Sequence, residues 1–554
     1  MLRSLQRFEK LGYALIAIPP LTYWLYWTLH PSYWFNADPA AVYFVDSLSI
    51  FAGHSYKFVD HPGTPVHLIG SFLLALTYPF FGSQEAFINF HLARPGAFFL
   101  MVHAFLLIAN LLCIFVFYKI ATATLEQNRM LGGMAVALLY FVLHPYSFPS
   151  LTFWSHNSFN FPFGTLWLLW LYSELRKDKE VRPPMLLFMG LAAGILAGAQ
   201  MYFIVWLVSG VFTVFVFCIR LNRKLKAAVD SSIYLLAGGL FGFSLMLIPV
   251  YKELPRFAGW VTRIITHQGL YGTGESGIYT LDMIPAAIGY WWATIPLMMF
   301  VLLLTLIALG VFAVWKRKAS IKIPPGSYAM VIGLLFQIGL ILLVMSKAVL
   351  RLRFSLSLAA VLPVLILVVL KLYERTPWRG RTLKIGLYIA TLLGVLFALV
   401  QQIGLQQTRA AVERDAPVAK TQAVTRLAQK TNVNEKDIVV VYAFSVPLKC
   451  PGLLLASSWT GSFEKEIQSI CPNQYAILDV NEGLDAEFNT AGTIPDIKDI
   501  DWDLVVWPGN GSNLPEYLYS IGAINIPNSW HVRRDKWFFI HNIDESRLPL
   551  VSIH

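Results

Sequence analysis

The residues whose types best suit chemistry gather in one polar stretch, 30–94, which holds Asp38, Asp46, Asp60, His54, His61 and His67, with Lys57 and Arg94 as fixed positive charges. A carboxylate at a membrane interface can act as a general base, taking a proton from a hydroxyl or amine as that group attacks an activated carbon. Asp38 is the candidate for that role. The same residue, standing before Pro39, also reads as a helix cap, because Asp accepts from exposed backbone N–H groups and Pro suits the first helical position. Asp46 lies on the same predicted helix and reads as a solvated or paired side chain. The run Asp60-His61-Pro62-Gly63-Thr64-Pro65 predicts a rigid turn, since each Pro biases its predecessor to extended geometry and Gly63 permits a tight bend. His61 can donate to a phosphate from that turn, or serve as a plain turn histidine. The spacing of these His and Asp residues matches no standard ligand pattern, so no cofactor is expected and a divalent metal is not favoured.

Two further polar stretches are chemically suggestive. Ser346 to Arg353 contains Lys347, Arg351 and Arg353, and the first two, four residues apart, share one helical face. Such a cationic patch suits a lipid phosphate, and snorkelling anchors at two helix ends give the same composition. Trp154-Ser155-His156-Asn157-Ser158 and the segment Trp260 to Tyr279, with His267 and Tyr271, combine aromatic faces with polar partners. That composition suits sugar binding, and an interfacial aromatic belt shares it. Gly269, Gly272, Gly274 and Gly277 make the second segment read as a mobile loop.

The elements that must position these residues are mostly membrane. The chain has 554 residues, of which 56% are hydrophobic and 14% aromatic, with charges on only 14%. Those values describe an integral membrane protein rather than a soluble enzyme. The net charge of +11 comes from Lys and Arg clusters between apolar runs, where they set topology, so a nucleic-acid partner is not expected. Arg3, Arg7 and Lys10 before the run 11–29 have the layout of a secretory signal, but Pro19, Pro20 and the lack of a small-residue cleavage site favour an uncleaved first helix.

Apolar runs near 11–29, 95–118, 130–148, 158–173, 185–200, 202–219, 231–251, 291–315, 327–346, 354–370 and 385–403 give about eleven spans. The shorter run 66–81 decides the topology. If it lies along the interface, the basic clusters around Lys119/Arg129, Arg176–Arg182, Arg220–Lys226, Lys316–Lys322 and Arg375–Lys384 all share a side with Arg3, Arg7 and Lys10; if it spans, they all move outside. The positive-inside bias selects the interfacial reading. The outer face then consists of 30–94, 149–157, 252–290, 347–353 and everything after 404. A tight turn is required near Gln200-Met201.

From about 405 the chain becomes polar and mixed in charge. Strand-like runs at Asp437–Ala443, Tyr475–Val480, Leu504–Trp507 and Trp537–His541 alternate with helical patterns at Ala416–Lys430 and Ser462–Ile470, predicting a small soluble α/β domain at 405–554 behind a membrane domain at 1–404. Cys113 and Cys218 fall in apolar runs. Cys450 and Cys471 fall in this tail, in an expected oxidising space, where they can form a disulfide or stay reduced.

The uncleaved first helix, the early Asp of a long first outer loop, Asp60-His61-Pro62-Gly63-Thr64-Pro65, the close at Phe80-Phe81-Gly82-Ser83, Arg94-Pro95 and the basic connection Ser346–Arg353 together resemble the GT-C membrane glycosyltransferases. The look is that of bacterial relatives of protein O-mannosyltransferases and lipid A aminoarabinose transferases. The resemblance covers about the first 180 residues and the later basic connection. It implies a sugar donor linked to a polyprenyl phosphate, an acceptor that is a lipid, glycan or protein, contact with membrane lipids, and transfer with inversion at the extracytoplasmic face of a bacterial inner membrane. It assigns catalysis to Asp38, phosphate handling to His61, Lys347, Arg351 and Arg353, and leaves Asp60, His156, Asn157, His267 and Tyr271 as substrate-binding candidates. The chain departs from the pattern at Asp38-Pro39, where many relatives carry two consecutive acidic residues, and at Asp60-His61-Pro62-Gly63, where a lysine and paired prolines are common. A transporter or flippase, and a ligase for lipid-linked glycans, are the alternatives from other classes.

Overall fold

The computed structural model describes residues 2–29, 37–56, 58–59, 63–126, 129–266, 283–319, 322–347 and 355–374, short helical pieces within 388–404, and in the tail 438–443, 449–471, 475–478, 489–490, 503–507, 537–540 and 551–553. They form two compact units. One comprises Met1–Trp27, Val59–Val66 and His103–Gln406; the other comprises Thr28–Phe58, His67–Val102 and Gln407–His554. In chain order the helices are α1 (Leu2–Leu29), α2 (Ala37–Phe51), α3 (Thr64–Ala75), α4 (Gln84–Ala93), α5 (Pro95–Thr124), α6 (Arg129–Val142), α7 (His156–Leu175), α8 (Pro183–Ala199), α9 (Ile204–Asn222) and α10 (Leu225–Leu247). There follow α11 (Leu254–Thr266), α12 (Met283–Thr294), α13 (Pro296–Ala319), α14 (Pro325–Lys347), α15 (Leu356–Tyr373), α16 (Lys449–Thr460) and α17 (Glu464–Ile470).

Among the described residues, six stretches are long and apolar enough to cross a membrane: Pro95–Thr124, Met201–Asn222, Leu225–Thr262, Pro296–Lys316, Pro325–Ser346 and Leu356–Tyr373. The chain is a helical polytopic membrane protein. Of the other expected spans, 11–29, 130–148, 158–173 and 185–200 fall on α1, α6, α7 and α8, and 385–403 is described only in part. Two boundaries differ from expectation because of proline. The expected run 291–315 is divided at Pro296, where α12 gives way to α13, and α6 stops at Val142, shortly before His144-Pro145.

The run 66–81 is the 12-residue α3 followed by a 3-10 turn at Tyr78–Phe80, after which α4 leaves at 117°. At ~1.5 Å per residue α3 is about 18 Å long, well short of a roughly 30 Å hydrocarbon core. Ser83 caps α4 by accepting from Ala86 N at 3.1 Å.

In the first unit the helix ends sort into two sets. At one end, both carboxylate oxygens of Glu374 accept from Glu126 N, at 3.0 and 2.9 Å, Lys371 meets Glu126 at 2.6 Å, Arg176 donates to Thr124, and Gly326 N donates to Asp178 at 2.9 Å. At the other, His144 Nε2 lies 2.8 Å from Ser355 Oγ, and Tyr202 Oη lies 2.7 Å from Ser357 Oγ. Lys119 near the end of α5, Arg176 after α7 and Lys371 in the last turn of α15 thus lie towards the first end, away from the second.

Small residues bring α8 against α10. A Cβ on Gly190 or Gly194 would collide with backbone of Leu235 or Gly239, and one on Gly238 or Gly242 would collide with the carbonyls of Leu187 or Leu191. Without a hydrophobic drive between helices in lipid, such close backbone approach is what dispersion forces need. The expected tight turn between α8 and α9 is present as the 3-10 segment Met201–Phe203.

In the second unit a six-stranded sheet has the order β3-β2-β1-β4-β5-β6, formed by β1 (Ile438–Ala443), β2 (Tyr475–Leu478), β3 (Asn489–Thr490), β4 (Asp503–Trp507), β5 (Trp537–Ile540) and β6 (Val551–Ile553). The central strand β1 runs parallel to β2 and β4, with Val440 opposite both Tyr475 and Val505, and β3, β5 and β6 pair antiparallel. Its sequence Ile-Val-Val-Val-Tyr-Ala is a continuous apolar run, as suits a strand paired on both edges. α16 and α17 form the crossover from β1 to β2 that a parallel pair requires. The predicted helix 416–430 lies outside the described residues.

Candidate functional site

Asp38 sits in the first turn of α2, one residue inside the helix start rather than before it. Its side chain is outside the described set. The first turn of a helix leaves N–H groups unsatisfied and carries the positive end of the dipole, so an acidic residue is favoured there. The helix behind it is fixed on all sides, with every residue from Ala40 to Ser49 buried. A helix enclosed in this way can be apolar all round, and the sequence from Ala40 to Phe51 nearly is.

Asp46 is the polar exception inside that helix. It is fully buried and lies 3.9 Å from His67 Nδ1 on α3, a separation too long for a direct hydrogen bond. Tyr43 and Tyr56 flank the imidazole, with ring centroids 4.6 and 4.5 Å away. Burial pulls the pKa of His67 down to about 3, so at neutral pH the contact joins a carboxyl group to a neutral imidazole and is not an ion pair. Of the two readings open for Asp46, paired or solvated, burial removes the second. Gly70 lets α3 close on α2, because a Cβ there would strike Ser47.

The tail supplies the rest of the enclosure, which nothing in the local sequence announces. α16 lies along α2. Trp459 stacks on Phe58 with centroids 5.8 Å apart, Phe463 stacks on His54 at 6.2 Å, and Lys449 donates to Ala93 O at 2.8 Å. Desolvation in that contact lowers the pKa of Lys449. A disulfide joins Cys450 to Cys471, tying the start of α16 to the end of α17.

In the first unit, the end marked by His144 and Ser355 carries a second polar group. Ser155 caps α7 by accepting from Ser158 N at 3.2 Å, and this sets His156 and Asn157 in the first turn, both buried. One turn on, Asn160 donates to Leu196 O at 3.3 Å, and Gln200 follows at the close of α8, fully buried. α14 ends at Lys347 and α15 begins at Leu356, just after Ser355, so the connection bearing Arg351 and Arg353 leaves and rejoins the unit at this same end. Asn160, Gln200, Tyr202 and Ser357 did not stand out in the sequence. The signal that could have found them is a lone amide or hydroxyl in an apolar run.

The side chain of Lys347, and Asp60, His61, Arg351, Arg353, His267 and Tyr271 entirely, lie outside the described residues. Among the described residues no three His, Cys, Asp or Glu side chains converge as a metal site.

No protein-family profile matches the chain, and no curated protein does. Among solved structures it is similar to the crystal structure of the Archaeoglobus fulgidus oligosaccharyltransferase in the apo form, at 10% sequence identity and a TM-score of 0.43, over 85% of this chain and 69% of that one.

Proposed function

We propose that the protein is a GT-C-type membrane glycosyltransferase that moves a sugar from a polyprenyl-phosphate donor to an acceptor at the extracytoplasmic face, with inversion. The acceptor hydroxyl or amine attacks the anomeric carbon, the bond from that carbon to the phosphate oxygen breaks, and Asp38 takes the acceptor's proton. Lys347, Arg351 and Arg353, with His61, stabilise the departing lipid phosphate. Direct displacement of this kind needs one base and electrostatic stabilisation of the leaving group, and it needs no second carboxyl group. His156 and Asn157 contact substrate from the first turn of α7, and Asp60, His267 and Tyr271 complete the sugar side.

One observation carries the reading: α14 ends and α15 begins, on either side of the connection bearing Arg351 and Arg353, at the end of the first unit that holds His156 and Asn157, while Arg176 and Lys371 lie at the opposite end. By the positive-inside bias that opposite end is cytoplasmic, which puts the N-terminus inside and the tail outside. The Cys450–Cys471 disulfide suits a tail in an oxidising space. On this reading 1–404 is the membrane domain with about eleven spans, and 405–554 is an extracytoplasmic α/β domain built on the six-stranded sheet. A transporter would keep charges near the bilayer midplane. Every Asp, Glu, Lys and Arg of α5–α10 and α13–α15 instead lies within two turns of a helix end, which favours surface chemistry.

The test is donor discrimination. Purified protein in nanodiscs is given radiolabelled sugar on polyprenyl monophosphate or on polyprenyl pyrophosphate, with acceptor-containing membrane extract. Transfer from the monophosphate alone supports the proposal. Transfer from the pyrophosphate alone makes the protein a ligase-type enzyme, and movement of the donor across the bilayer of proteoliposomes made with the same protein, without transfer, makes it a transporter.

A further inference from the structure

A serine at a helix start commonly accepts from the amide three positions on, as Ser83 does for α4 and Ser155 for α7. Ser355 stands at the same position before α15, and its side chain makes no such bond. Its hydroxyl turns instead to His144, 211 positions earlier, with Oγ 2.8 Å from Nε2. Two residues on, Ser357 Oγ lies 2.7 Å from the hydroxyl of Tyr202, in the turn between α8 and α9. The start of α15 is thus held from two sides, by the segment after α6 and by the turn before α9.

The His144 side of this clamp is itself fixed. Nδ1 accepts from Tyr146 N at 3.0 Å, and the His144 carbonyl accepts from Ser147 N at 3.0 Å. An Nδ1 that accepts leaves the ring hydrogen of the neutral imidazole on Nε2, so His144 donates and Ser355 accepts. His144, Ser355 and Ser357 are buried, and bulk water does not stand in for either partner. A cap bond would secure α15 only to itself, whereas the bond to His144 secures where α15 begins within the unit. What hangs on that start is the cationic connection. Arg353 precedes Ser355 by two residues, a tether of at most about 7 Å, and Arg351 precedes it by four, about 14 Å. Long cationic side chains lose freedom when they grip an anion, and a fixed root lowers that cost.

We propose that His144 and Tyr202 are positioning residues for the lipid phosphate: by holding Ser355 and Ser357 they fix the point from which Arg351 and Arg353 reach it. They act through the arginines and take no part in the proton transfer. The inference rests on the phosphate role given above to those arginines.

The test uses the full chain in nanodiscs and measures saturable binding of radiolabelled farnesyl phosphate and farnesol, each over empty nanodiscs. The wild-type chain is expected to prefer the phosphate, and the double variant Arg351→Gln, Arg353→Gln to abolish that preference. His144→Asn keeps an oxygen near the place of Nδ1 for Tyr146 N but cannot reach Ser355, and it should weaken farnesyl phosphate about tenfold while leaving farnesol unchanged. His144→Gln, whose amide nitrogen falls near the place of Nε2, should restore the affinity. Ser355→Ala added to His144→Asn should cost nothing further, because the pair acts as one unit. Tyr202→Phe loses only a hydroxyl, should weaken farnesyl phosphate about threefold, and keeps the test valid if the His144 variants fail to fold. Equal weakening of both ligands, or an arginine-dependent preference at wild-type strength in folded His144→Asn and Tyr202→Phe chains, overturns the positioning role and leaves the phosphate reading standing. No preference in the wild-type chain, or one that the arginine variant keeps, overturns that reading and this inference with it.

Discussion

Removing the Cys450–Cys471 bond should loosen α2, the helix that carries Asp38. The two cysteines are 21 positions apart. Closing a loop of that size restricts the open chain by about 3 kcal/mol on the loop-entropy model. Freed by Cys450→Ala and Cys471→Ala, the α16–α17 pair keeps the Trp459–Phe58 and Phe463–His54 stacks and the Lys449 hydrogen bond but loses that restriction. A change of 3 kcal/mol raises the open population about a hundredfold. Since α16 lies along α2, opening one bares the other, and hydrogen exchange followed by mass spectrometry should show both 449–460 and 40–51 exchanging faster, by up to that factor. Acceleration in 449–460 with no change in 40–51 would refute the reasoning, because α16 would then not be what holds α2.

Three other outcomes follow from the packing. Gly194→Leu drives a side chain into the backbone of α10 and should cost at least ~3 kcal/mol, read as a large drop in melting temperature, whereas Gly339→Ala, where a Cβ meets nothing within 4 Å, should leave it unchanged; equal effects would contradict the close α8–α10 contact. Glu374→Gln weakens a buried acceptor of the Glu126 amide and should destabilise by ~2 kcal/mol in denaturant titration, with an undiminished midpoint counting against the network. Acid should destabilise the second unit through His67: its pKa falls from 6.5 to about 3 on folding, so its neutral form contributes fully above pH 6.5. As pH drops from 6.5 towards 3 the unfolded chain takes up the proton first, and stability falls by up to ~1.4 kcal/mol per pH unit. His67→Phe should flatten that slope, and an identical pH profile for the variant would exclude the mechanism.

Much of the membrane part was legible because apolar runs bounded by charge or proline are strong local signals. The stretches at α5, α9, α10, α14 and α15 needed only hydropathy, and the four apolar runs of the tail became β1, β2, β4 and β5. Proline moved the boundaries that were misjudged, at Pro296 and beside His144-Pro145. What escaped was long-range. Nothing near Asp38 indicates that α2 is enclosed by a helix some four hundred residues later, and the cysteine spacing alone left the disulfide open. Gly190 and Gly194 on α8, and Gly238 and Gly242 on α10, each stand four apart, and that spacing alone does not say which two helices it brings together. Of the candidate site, the structure describes the helix position of Asp38 and the surroundings of His156 and Asn157. The amides of Asn160 and Gln200 were hidden because single polar residues in apolar runs leave no pattern.

The central claim is that a lone carboxylate at the start of α2 performs the proton transfer of a sugar displacement. It is tested most directly by single-turnover transfer from a radiolabelled polyprenyl-phosphate sugar, comparing the wild-type chain with Asp38→Asn, both checked for equal melting temperature. The account predicts loss of transfer with retained donor binding. Transfer at the wild-type rate by the folded variant would contradict it.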